Sequence, residues 1–158
     1  MLRNDDHVWF PQQSRMASLL ESFDWSVTDI GSPDTWPPSL RANVNLILDS
    51  GIPMMLGWGE QICVIYNDGY IPILDQKHPA IFQPAAKLFG ELWTLVGPLL
   101  MKVYRTGVAE SREDMLLPLL RNGVIEECYF TFSYSPIRDL NGEVVGLLST
   151  AIETTIPG

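Results

Sequence analysis

The chain has 158 residues, 46% hydrophobic and 18% charged, a balance that fits one folded domain and excludes a largely disordered tail. Its formal net charge of −9 and pI near 4.5 repel phosphate backbones and anionic lipid, so neither nucleic acid nor a membrane surface is an expected partner. No basic stretch opens into an apolar leader and no apolar run reaches the ~18 residues of a membrane span, so a cytoplasmic piece is expected.

The first 13 residues are polar and irregular, after which Met16, Leu19, Leu20 and Phe23 recur at helical spacing. Residues 24–36 are rich in Ser, Thr, Asp, Gly and Pro and read as loop, which makes 1–36 an N-terminal helix and loop extension and 37–156 the main domain. Pro37-Pro38 opens a second helix, since an early proline loses no intrahelical bond, and Leu40, Val44, Ile47 and Leu48 form its buried stripe. Gly51, by a left-handed cap, and Pro53, by its missing donor, are expected to end it. Residues 71–89 carry Pro72, Pro79 and Pro84, so they wrap as short fragments rather than forming one helix. From Trp93, the residues Val96, Leu99, Leu100, Val103 and Tyr104 suit a helix lying over a sheet, with Pro98 either kinking it or delaying its start and Gly107 stopping it.

Three strands close the chain. Residues 115–120 and 124–127 are apolar or strand-like runs joined through Asn122-Gly123, both of which tolerate positive φ and so mark a hairpin. Pro118 cannot donate to a ladder, which places a bulge or a sheet edge at that point. Cys128–Pro136 and Glu143–Ile152 form a second, longer hairpin about the turn Asp139–Gly142. Side chains alternate along a strand, so Phe130, Phe132 and Tyr134 share one face, and Tyr129, Thr131, Ser133 and Ser135 share the other.

Residues 53–59 and 62–70, the latter with Asn67-Asp68 before Tyr70, precede Lys77-His78-Pro79, then 91–107, then Tyr134–Asp139 with Asn141-Gly142. In this order and spacing they resemble the strands, small helix, long helix and final hairpin of PAS sensory domains from bacterial sensor histidine kinases. The resemblance implies an α+β fold: a PAS-like five-stranded antiparallel sheet with helices on one face plus N-terminal helices. It also implies a signal-transduction module of a larger protein, with kinase or other output activity outside this chain. A C-terminal output domain is the implied partner after Glu153-Thr154-Thr155, where many members carry Asp-x-Thr; Glu here leaves the usual junction contact open.

Candidate pocket residues are Trp58, Tyr70, Trp93, Phe130, Phe132 and Tyr134, with Asn67 and His78 beside them; the competing reading is a solid aromatic core that only an observed cavity would displace. Asn67 and Asp68 sit where a strand becomes a helix, and capping is preferred there over ligand contact. His78 is isolated and reads as a turn or pocket-wall residue before a base or haem ligand. Haem-binding relatives carry their histidine on the long helix, and residues 91–107 have none. Flavin-binding photosensory relatives carry Asn-Cys-Arg-Phe-Leu-Gln where this chain reads Gln83-Pro84-Ala85-Ala86-Lys87-Leu88-Phe89. Haem and covalent flavin are therefore disfavoured, and the cofactor stays unknown.

Cys63 and Cys128 lack the spacing of metal or redox sites, Glu126 and Glu127 point to opposite faces, and no phosphate-cradling glycine motif occurs. No catalytic or metal residues are assigned. The sheet face bearing Tyr129 is expected to be covered by the Met16–Phe23 stripe or by a second subunit in a homodimer. Three functions remain: a sensor biased by a small-molecule ligand, a ligand-free dimerisation or docking module, and a small cone-shaped hydrolase or isomerase using Asp68 with His78.

Overall fold

The computed structural model describes residues 8–155. Its helices are α1 (Arg15–Ser22), α2 (Pro38–Asp49), α3 (Ile71–Leu74), α4 (Ala85–Phe89) and α5 (Trp93–Thr106); its strands are β1 (Met54–Trp58), β2 (Cys63–Tyr66), β3 (Glu110–Arg121), β4 (Val124–Arg138) and β5 (Val144–Glu153). The strands form one antiparallel sheet in the order β2-β1-β5-β4-β3, the five-stranded α+β arrangement expected from the sequence.

The two C-terminal hairpins form for the reasons their turns give. Asn122 and Gly123 take φ of 51° and 78°, the left-handed pair that matches strand twist. Pro118 lies on β3, an edge strand, opposite Glu127, so its missing donor costs no ladder bond. The register shift in β3 falls elsewhere, between Arg112 and Met115, and lets the strand continue back to Glu110, earlier than its apolar run indicates.

Alternation fixes what each sheet face meets. Met55, Val64, Leu147 and Tyr134 turn to the side of α5, where they meet Leu100. Leu56 and Ile65 point the opposite way yet are fully buried, because α2 packs there against β1 and β2. The α2 stripe Leu40, Val44, Ile47 and Leu48 is buried as its spacing requires. The core is continuous from Phe10 and Met16 through to Ala151, so residues 8–36 share it with the sheet.

One helix end differs from the sequence reading. Helix α2 stops at Ser50 in extended conformation, and Gly51 is not left-handed; Gly107, at φ 71°, does cap α5 in that way. Helix α5 starts at Trp93 and runs through Pro98, so the proline does not delay it. Among the described residues, no helix is long and apolar enough to cross a membrane.

Candidate functional site

Between α5, α3 and the inner face of β3, β4 and β5 lies a cavity of about 30 Å³, room for one water molecule. Strand alternation aims Phe130, Phe132 and Tyr134 of β4 into it, and Ser149 and Ala151 of β5 stand in the same phase on the neighbouring strand. Tyr70, at the end of the turn that follows β2, closes one side. The rings of Phe132 and Tyr134 lie 5.0 Å apart and tilted by 43°, a packing that rings favour for quadrupolar reasons.

Three hydroxyls meet at this cavity. Burial pushes the Tyr70 phenol up to about 12, and the nearby Ser149 hydroxyl opposes that rise. Burial raises Tyr134 further, with Tyr70 adding to it. Both phenols therefore stay neutral and able to donate. Ser149 Oγ is buried and has no partner in hydrogen-bond geometry. Among the described residues, no Asp, Glu, Lys, Arg or His lines the cavity.

Of the eight candidate residues, the cavity brings together Tyr70, Phe130, Phe132 and Tyr134. Trp58 is half-buried on the α2 side of the sheet, opposite Cys63 and Gly146. Trp93 lies along α5 over Gly97, where an added Cβ would come within 2.6 Å of the indole, and lines an outer groove with Pro98 and Met101.

Asn67 and Asp68 do not cap the turn that follows them, which corrects that expectation; both are used by the N-terminal half instead. Asn67 is buried, and its Oδ1 accepts the Met54 amide at 3.0 Å while its Nδ2 donates to Ile47 and Ile52 carbonyls at 2.9 and 2.8 Å. It thus fastens the end of α2 to the start of β1. Both Asp68 oxygens accept backbone amides at the start of α1, from Arg15 at 3.0 Å and Met16 at 2.7 Å.

His78 lies 2.7 Å from the Tyr66 hydroxyl through Nδ1. That hydroxyl also accepts the Ala80 amide at 2.9 Å, which leaves its one proton free to be donated to Nδ1 of a neutral imidazole protonated on Nε2. Burial lowers the His78 pKa, with Arg15 lowering it further and Asp68 opposing. Asp68 is engaged by the Arg15 and Met16 amides, and the hydrogen-bond partner of the ring is the Tyr66 hydroxyl.

The chain exit is tied to the β3–β4 ribbon. Arg121 pairs with Glu153 at 2.8 and 3.0 Å, Thr155 donates to Glu153 at 2.8 Å, and the Thr154 amide donates to the Tyr129 carbonyl at 2.7 Å. The Arg121 hydrogen bonds hold the Glu153 carboxyl below its ordinary value. Cys128 is buried beside this pair, 3.5 Å from Arg121. Among the described residues, no group of three His, Cys, Asp or Glu side chains is placed to hold a metal ion.

Ser149, Phe89, Leu92 and Leu119 also line the cavity and were not among the sequence candidates. Ser149 was within reach of the register argument, since it sits opposite Tyr134 once the Asp139–Gly142 turn is placed.

No family model and no curated protein matches the sequence. Solved structures do match it in fold. A PAS domain from Colwellia psychrerythraea is 17% identical, with a TM-score of 0.54 over 73% of this chain and 97% of its own. A sensory box sensor histidine kinase from Vibrio cholerae is 10% identical, with a TM-score of 0.50 over 73% of this chain and 88% of its own. VqmA bound to DPO is 13% identical, with a TM-score of 0.54 over 73% of this chain and 58% of its own. The sheet order and the helices laid across it are those of a PAS fold.

Proposed function

We propose that this PAS fold is the sensory module of a larger signalling protein, in which occupancy of the inner cavity changes the contacts at the chain exit. The observation that carries the reading is β5 itself: Ser149 and Ala151 line the cavity, and Glu153, two residues on, is gripped by Arg121. A ligand that favours one setting of this strand by about 1.4 kcal/mol changes the ratio of two states tenfold. The solved PAS folds that are similar include a sensor kinase and a ligand-bound receptor, which supports this assignment, a histidine kinase being the output the resemblance favours.

A second copy of the chain is the proposed partner. Leu116, Tyr129 and Ile152 are exposed on the sheet face away from α5, while Met16 and Leu20 of α1 are buried within the chain. The N-terminal stripe is thus occupied, and the distal sheet face is left for another subunit.

The small size of the cavity favours one alternative, a ligand-free dimerisation module with a filled interior. Hydrogen exchange at the Thr154 amide separates the two readings. A metabolite that raises Tm and alters Thr154 protection supports the sensor; a metabolite library in which nothing raises Tm supports the ligand-free module.

A further inference from the structure

The cavity is not isolated from the surface. Outside it, between the α4–α5 segment and the β3–β4 ribbon, runs a largely apolar groove of about 760 Å³ that Lys77 and Glu91 also line. Ile73, Phe89, Leu92 and Leu119 line both the groove and the cavity, so the two spaces share this wall. Phe89 and Leu92 are half-buried and stand at the end of α4 and in the single turn before α5. The surrounding frame is fastened at two points. Lys77 donates to the Leu88 carbonyl at 2.9 Å, and the Asn122 amide donates to Asp75 at 3.3 Å. Rotation of Phe89 and Leu92 toward the groove would enlarge the cavity without unpairing a strand.

The walls also define what can be accepted. A charged molecule would be buried with no opposing charge, a cost of several kcal/mol that these walls do nothing to offset. A purely apolar molecule would leave the Ser149 hydroxyl and the two phenols with only one another as partners. Phe130 and Phe132 line the cavity and make it aromatic as well as apolar.

Resting on the sensory reading above, we infer that the cavity takes a small, uncharged, ring-sized molecule bearing a hydrogen-bond acceptor, admitted from the groove past Phe89 and Leu92. Tyr134, Tyr70 and Ser149 supply the hydroxyls that select the acceptor.

Three probes built on one phenyl ring test this by NMR titration of the whole chain: benzamide, benzoate and toluene. The expected result is that benzamide shifts the Ser149 and Tyr134 amides and binds about tenfold tighter than toluene, while benzoate shifts neither. Ser149→Ala and Tyr134→Phe should each weaken benzamide severalfold and leave toluene unchanged. Phe89→Ala should speed both association and dissociation of benzamide. Equal affinity for benzamide and toluene, or binding of benzoate, overturns the ligand class while leaving a receptor cavity in place. Unchanged rates in Phe89→Ala overturn the route. If no probe enters either the native chain or Phe89→Ala, the receptor reading falls with it.

Discussion

Asp68 reaches 52 residues back along the chain to accept the Met16 amide at 2.7 Å, with Arg15 held by its second oxygen. The carboxylate thus satisfies two orphan donors at the start of α1, where the helix dipole also favours a negative charge. Asp68→Ala should cost about 1–2 kcal/mol in urea denaturation and speed exchange of the Arg15 and Met16 amides selectively. Uniform exchange across the chain would show that the contact does not fasten α1.

Asn67 is the neighbouring fastener. Asn67→Ala leaves the Met54 amide and the Ile47 and Ile52 carbonyls without this partner, and should destabilise by about 3 kcal/mol. Denaturant midpoints at unchanged slope check it.

His78 makes stability depend on pH. Its folded pKa is depressed from 6.5, chiefly by burial, so the neutral ring is the form the fold prefers. Its contribution is complete above about pH 6.5 and is lost as pH falls from there through the lower folded value. Protonation would also make Nδ1 a donor, so the Tyr66 hydroxyl could only accept from it. The Tm of the native chain should fall relative to His78→Asn between pH 7 and pH 5; parallel curves would contradict this.

Much of this architecture was legible in the chain. Period-2 alternation placed Phe130, Phe132 and Tyr134 together, and Asn122-Gly123 marked its own turn, because both signals are local. The roles of Asn67 and Asp68 were not legible, since their partners lie 13 to 53 residues away and only the packed fold brings them together. Its sequence context marks Trp93 as a pocket wall, yet the indole closes over Gly97, a contact that composition does not disclose. Ser149 was passed over because a lone serine in an apolar strand carries no signal until its register against Tyr134 is known.

Arg121 and Glu153 form the exit pair, and both side chains are partly exposed, at 18% and 32%. A double-mutant cycle with Arg121→Gln and Glu153→Gln should give about 1 kcal/mol or less of coupling. Since Glu153 titrates below 4.5, the coupling is present above that pH and disappears as pH falls through the folded value.

The distal sheet face predicts self-association. Tyr129→Glu and Ile152→Glu place charge on exposed positions of that face, and each should shift sedimentation toward monomer without lowering Tm. A native chain that sediments as monomer at high concentration would remove this partner.

Gentle native mass spectrometry of the freshly purified chain reads out whether the interior receives a small molecule. The expected spectrum carries a bound mass that disappears in Ser149→Ala or Tyr134→Phe. A spectrum at the bare chain mass, unchanged after exposure to metabolite extract, would contradict it.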